Sequence, residues 1–147
     1  MKKSIFAITA IIFSLILAGC SKNFNDSDIV KATINGQKYE LEVARTDDAQ
    51  RKGLSGRKDL AKNKGMLFVY SEPDYPQFWM KDTSVPLQLL LIEKCTIVEI
   101  KEMPIEKDPA NPQSIYKSSV KADKAIELNA NSIPENLIGE KIKELCD

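Results

Sequence analysis

Hydrophobic positions in this chain follow two patterns. Residues 5–18 form a run of 14 that is broken only by Thr9 and Ser14, and it follows Lys2 and Lys3. Beyond it the apolar residues come in short, strand-length stretches. Residues 30–34 and 38–43 flank Asn35-Gly36, a pair that tolerates the positive φ of a tight turn, so they predict a hairpin. In its second arm Leu41 and Val43 alternate with Glu40 and Glu42, the period of a strand with one buried and one wet face. Thr46 is placed to cap a helix with Asp47 and Asp48 in its first turn, and Gly53 and Gly56 keep that helix short. Residues 65–70 and 77–80 read as strands around a Pro73/Pro76 loop. A second hairpin is expected from residues 87–92 and 96–103, turning at Glu93-Lys94-Cys95, where Val98 and Ile100 alternate with Glu99 and Lys101.

Three prolines mark residues 104–114 as a long loop. Residues 125–128 read as a strand, Pro134 to Gly139 as a short helical turn, and residues 141–145 as a last strand. The expected fold is mainly β: a small sandwich or partly open barrel of about seven short strands with one or two short helices. No internal repeat or low-complexity tract interrupts it.

The long apolar run is too short for a spanning helix, which needs about 20 apolar residues. Its basic start, apolar middle and small residues at Leu17-Ala18-Gly19-Cys20 have the layout of a signal peptide, and the final four resemble a bacterial lipobox. The expected organisation is a signal peptide over residues 1–19, a lipidated Cys20 as mature N-terminus, a polar tether over residues 20–28 and one domain over residues 29–147. Plain secretion and a retained anchor are the alternatives. Membrane attachment would run through acyl chains on Cys20, and two or more chains hold a protein stably. Ser21 follows the cysteine where Asp is absent, which by resemblance favours an outer membrane if the host has two.

Removing residues 1–19 leaves 128 of 147 residues, enough for one core. Lys2 and Lys3 leave with the signal, so 19 basic residues face 21 acidic ones, a net of −2. That balance is no footprint for nucleic acid. The sequence contains no histidine, which removes the commonest general base, the commonest zinc ligand and any Ser-His or Cys-His nucleophile pair. Once Cys20 is acylated, Cys95 and Cys146 remain; they either pair across a loop of about 50 residues or stay as separate thiols. They lack the Cys-X-X-Cys spacing of redox sites. No metal or cofactor is expected.

The middle of the chain carries an ordered set of motifs: Arg51-Lys52-Gly53-Leu54-Ser55-Gly56-Arg57, Gly65-Met66-Leu67-Phe68, Phe78-Trp79-Met80-Lys81-Asp82-Thr83 and Pro86-Leu87. Ile97-Val98-Glu99-Ile100, Met103-Pro104, Glu127-Leu128-Asn129-Ala130 and Gly139-Glu140-Lys141 continue it. In order and spacing this set resembles domain-of-unknown-function family 192, over about residues 38–145. The resemblance implies a compact, mainly β, sandwich-like domain, usually exported and without established activity. Asp82 stands where that family tends to have Asn, and Gln88 where it tends to have Asp.

The polar members of these motifs, Arg51, Arg57, Lys81, Thr83 and Glu127, are the candidate binding residues, with Trp79 as a stacking wall. Arginine forks and Lys81 suit an anionic group. The competing structural reading pairs an arginine with Glu127 and gives residues 78–80 to the core. An enzyme would have to work through carboxylates such as Asp82 and Glu127. A metal site built only of Asp and Glu would favour calcium or magnesium, yet no EF-hand-like run occurs. Gly53 and Gly56 lack the strand-loop-helix order of a phosphate cradle. The expected function is that of a lipid-anchored envelope protein serving as a binding or accessory module for a small molecule or an envelope protein. A carboxylate-dependent envelope hydrolase and a purely structural lipoprotein are the alternatives.

Overall fold

Asn35 and Gly36 both take positive φ, 50° and 74°, and close the hairpin of β1 (Ile29–Ile34) and β2 (Gln37–Ala44), with Ile34 opposite Gln37. In this computed structural model, which describes residues 23–146, β2 then crosses through helix α1 (Asp47–Lys52) into β3 (Lys64–Asp74). β2 and β3 are parallel, as such a crossover requires. The remaining strands are β4 (Gln77–Phe78), β5 (Leu87–Glu93), β6 (Thr96–Met103), β7 (Tyr116–Lys117) and β8 (Ala122–Asn129). Six of them form one sheet in the order β1-β2-β3-β8-β5-β6, and β4 and β7 pair as a separate two-stranded ribbon. The fold is mainly β and no barrel closes, with eight strands among the described residues in place of about seven.

The large sheet is covered on both faces, which explains the nearly continuous apolar run of β5. Leu90 and Ile92 join Leu41, Leu67, Ile126 and Leu128 in one core. Leu87, Leu89 and Leu91 join Phe68, Phe78 and Met80 in the other. Gly65 is needed where β3 threads between these layers. A Cβ there would lie 2.5 Å from the Glu127 carbonyl oxygen, 2.6 Å from Leu128 Cδ2 and 2.9 Å from Leu41 Cδ2.

Thr46 caps α1, its hydroxyl accepting from the Ala49 N–H, and Gly53 ends the helix at φ 48°. The segment expected to be a tether is docked from Phe24 onward. Phe24 is buried against the first core, the Ser27 N–H donates to the Val43 carbonyl at 2.9 Å, and the Asp26 carboxylate accepts from the Arg45 N–H at 2.5 Å and the Thr46 hydroxyl at 2.6 Å. The structure thus extends the domain back from Ile29 to Phe24. Cys20 and the signal segment lie outside the described residues.

The expected last strand is absent. Lys141 makes a single bridge to Thr96, and residues 143–145 form a 3-10 turn. The buried pair here, Ile142 and Leu145, is spaced by three, which suits a helical turn and not a period-two strand. Cys146 reaches the tip of the β5–β6 hairpin and is disulfide-bonded to Cys95, with Cα atoms 4.8 Å apart.

Candidate functional site

One edge of the second core opens into a cleft of about 440 Å³. Its floor is set by buried side chains: Leu54 after α1, Phe68 on β3, Phe78 on β4, Thr83 and Glu127. Phe68 and Phe78 meet edge to face, their centroids 5.1 Å apart. Its rim consists of exposed residues: Asp47, Arg51 and Lys52 from α1, and Trp79 and Lys81 from the segment after β4. The volume is within the range of small-molecule sites, about 300–1,000 Å³.

Alternation along β8 decides where Glu127 points. Its neighbours Ile126 and Leu128 face the first core, so Glu127 falls on the second face, opposite Met66 on β3 and Leu89 on β5. It is 4% exposed, and its side chain makes no hydrogen bond or salt bridge with any described residue. Removal from water therefore pushes its carboxyl up to about 8, against a weaker opposing pull from Arg57. At neutral pH Glu127 is mainly a neutral acid. Tyr70, two positions past Phe68 on the same face, is raised in turn by burial and by the Glu127 charge.

The rim is electrostatically different. Arg51, Lys52 and Lys81 have no ion-pair partner among the described residues, and Asp47 is the one carboxylate beside them on the rim. Lys81 Nζ lies 5.7 Å from the centroid of the Trp79 ring, a cation–π contact that holds both at the mouth. Alternation over residues 78–80 buries Phe78 and Met80 and leaves Trp79 46% exposed. The following turn is fixed by backbone contacts. The Asp82 carbonyl accepts from the Gly56 N–H at 2.8 Å, the Asp82 N–H donates to the Pro109 carbonyl at 2.8 Å, and the Thr83 hydroxyl donates to the Lys81 carbonyl at 3.1 Å. Asp82 takes φ 50°, a conformation that Asp and Asn accept more readily than most residues, so the Asn-to-Asp departure has a backbone reason.

Five of the six residues singled out in the sequence, Arg51, Trp79, Lys81, Thr83 and Glu127, line this cleft. The sixth, Arg57, does not. Its guanidinium donates to Glu42 at 2.5 Å, so it is not the arginine partner that the competing reading gives to Glu127. Asp82 is exposed and outside the cleft, and the carboxylate pair considered for hydrolysis is not assembled there. Gln88 sits on the opposite face, where its amide accepts from the Ile133 N–H and donates to the Ile133 carbonyl, both at 2.8 Å. That role is structural. Gln50 and Tyr70 are cleft residues that sequence reasoning missed. Tyr70 could have been found from the Met66-Phe68-Tyr70 alternation. Gln50 carried no signal, being held by the Val69 carbonyl at 2.9 Å across the crossover.

A family model for a group described as uncharacterised ACR proteins, domain of unknown function 192, matches residues 30–143. The chain belongs to this family. All of the cleft-lining residues lie inside the matched span. Among solved structures, a Sinorhizobium meliloti 1021 protein described as a proposed transcription regulator is 27% identical, with a TM-score of 0.65 over 82% of this chain and 96% of that one. A protein of unknown function from Novosphingobium aromaticivorans DSM 12444 shares this fold at 24% identity and a TM-score of 0.61, over 78% of this chain and 82% of that one. No curated protein matches the chain.

Proposed function

We propose that this protein is a lipid-anchored envelope module that binds a small molecule bearing an anionic group in the cleft beside Glu127. The observation that carries the reading is the gathering of Arg51, Lys81 and Trp79 around an aromatic-walled pocket, with no described protein anion ion-paired to either cation. The lipobox-like Leu17-Ala18-Gly19-Cys20 supports the anchor. A nucleic-acid role of the kind named for the Sinorhizobium protein is disfavoured by the equal numbers of basic and acidic residues, 21 each.

Two measurements test the reading. Cys20→Ala is expected to move the protein from the membrane fraction to the soluble one, and continued membrane association would refute the anchor. Native mass spectrometry of protein taken from its own envelope is expected to show a bound small anion that is lost in an Arg51→Ala/Lys81→Ala double variant. A bound species indifferent to both substitutions would refute the anionic cleft.

Carboxylate hydrolysis is the second reading, because the neutral acid Glu127 shares the cleft with Asp47. It requires Asp47, at the exposed rim, to act as base or nucleophile, and turnover lost in both Asp47→Asn and Glu127→Gln would establish it.

A further inference from the structure

The cleft has two chemically opposite ends. At the rim stand three cations against one carboxylate, none of them ion-paired with a described residue. At the floor, Glu127 is more than nine-tenths buried, aims into the cleft and lacks a hydrogen-bond partner among the described residues, although two lone pairs on each oxygen are available. No described buried side-chain oxygen or nitrogen is left unsatisfied, so the Glu127 carboxyl opens onto the cleft, where a ligand's donors would take the place of water. Aromatic rings accompany both ends: Phe68 and Phe78 beside Glu127 at the floor and Trp79 at the rim, with Tyr70 also lining the cleft. Aromatic faces next to a buried carboxylate favour a cation, while the rim favours an anion.

We propose that the cleft seats a zwitterion, with a primary ammonium group of the ligand against the Glu127 carboxylate at the floor and its phosphate or carboxylate held at the rim by Arg51 and Lys81. This rests on the anionic-ligand reading above and adds the floor half of the ligand. An ammonium supplies the N–H donors and the positive charge that the protein itself withholds from Glu127. Arg57 would be the natural internal partner, and Glu42 holds it away.

The charged or titratable groups facing Glu127 are Arg57 after α1 and Tyr70 on β3; its cross-strand neighbours Met66 and Leu89 carry none. Seating an ammonium ionises Glu127. The carboxyl proton leaves to solvent as the ligand enters, so binding at pH 7 releases close to one proton per ligand. Below pH 8, where Glu127 is neutral in the empty cleft, affinity rises about tenfold per pH unit. A neutral Glu127 donating to a purely anionic ligand gives the opposite sign, with affinity falling above pH 8.

The ligand has two sources, a free zwitterion or a lipid headgroup. Asp26, which holds the N-cap of α1, is six residues from Cys20, at most about 20 Å of extended chain. An acylated Cys20 would keep the rim near the bilayer.

The deciding experiment is titration calorimetry of the mature protein at pH 7 in two buffers of different ionisation enthalpy. Phosphoethanolamine and phenylalanine serve as zwitterions, with ethanolamine, inorganic phosphate and phenylacetate as their halves. The expected result is binding of at least one zwitterion with proton release, weakened about 10- to 100-fold in either half and in Glu127→Gln. The amide introduced by that substitution is neutral like the acid it replaces, and an unfolding midpoint no lower than that of the wild type confirms that the fold is intact. Equal binding of an anion alone, unaltered in Glu127→Gln, overturns the ammonium seat and leaves the anionic cleft standing. No binding by either zwitterion also overturns the seat, while the anionic cleft is decided separately by its native mass spectrum. Vesicles of phosphatidylethanolamine against phosphatidylglycerol separate the sources. Competition by the former alone identifies a headgroup, and indifference to both identifies a free zwitterion.

Discussion

The Arg57 guanidinium donates to Glu42 at 2.5 Å and leaves Glu127 with no side-chain hydrogen bond from any described residue. Glu42 lies on β2 and Glu127 on β8, with β3 between them. Arg57 therefore influences Glu127 only through space, lowering a carboxyl that burial has raised to about 8. An acid in this state can interact strongly with whatever enters the cleft, because nothing in the protein already satisfies it.

That state makes folding stability pH-dependent. The native Glu127 carboxyl holds its proton up to about pH 8, while the unfolded chain releases it near its ordinary value of 4.5. Between those limits the native state binds more protons, so this group's contribution is fully present below pH 4.5, declines as pH rises and is lost above 8. At about 1.4 kcal/mol per pKa unit the effect is on the order of a few kcal/mol. Urea unfolding at pH 5.5 and 8.5 is expected to show a lower midpoint at 8.5, and Glu127→Gln is expected to flatten that difference.

Arg57→Ala separates the pair's two roles. Both side chains are about a third exposed, 36% and 35%, so the ion pair contributes under about 1 kcal/mol. The expected outcome is a small fall in thermal stability with a further upward shift of the Glu127 titration. A large loss of stability would show that Arg57 anchors more than Glu42.

Gly65→Ala is expected to be far more damaging. The added Cβ meets a backbone oxygen at 2.5 Å and two leucine methyls under 3.0 Å, and the Glu127 backbone cannot yield without moving β8. Overpacking of this kind costs about 3 kcal/mol or more. The denaturation midpoint measures it, and because the obstacle is the Glu127 carbonyl, ligand binding should fall with it.

Local features are legible in the sequence wherever a short-range rule governs them. Asn35-Gly36 marks its turn, Thr46 its cap, and the Leu41/Val43 alternation its buried face. Motif order groups Trp79, Lys81, Thr83, Arg51 and Glu127, and alternation over residues 78–80 sets Trp79 apart from the buried Phe78 and Met80. The rest depends on contacts between distant residues. β7 has two residues and exists only through its pairing with β4, Gln77 with Lys117 and Phe78 with Tyr116. Nothing local tells Arg57 one carboxylate from another, and only the folded chain shows that its partner is Glu42 and not Glu127. The 3-10 turn at residues 143–145 reads as a strand because a five-residue stretch with two apolar positions barely distinguishes a spacing of three from one of two.

The Cys95–Cys146 bond ties the C-terminal turn to the β5–β6 hairpin across 51 residues. On the chain-entropy view such a loop is worth about 4 kcal/mol, and reduction should lower stability by about that amount. Thiol counting on the denatured mature protein checks the pairing directly, and two reactive thiols before reduction would overturn it. Leu145, buried just before Cys146, should lose protection from hydrogen exchange first when the bond is cut.

Gln88 is the departure whose meaning the structure changes most. Its side chain is 1% exposed, faces away from the cleft and holds both backbone groups of Ile133, while its amide also donates to Glu102 at 2.5 Å. Both acceptors, the Ile133 carbonyl and the Glu102 carboxylate, need the N–H that only an amide supplies. Gln88→Glu puts a second carboxylate oxygen where that donor stood, leaving the Ile133 carbonyl unpaired and two acids in contact. The expected cost is on the order of 3 kcal/mol, read from the unfolding midpoint. Gln88→Asp is one methylene shorter and should lose the Ile133 N–H contact as well. Neither substitution touches the cleft, so ligand affinity per folded molecule should stay at the wild-type value. A selective loss of affinity with unchanged stability would instead place residue 88 in the binding machinery.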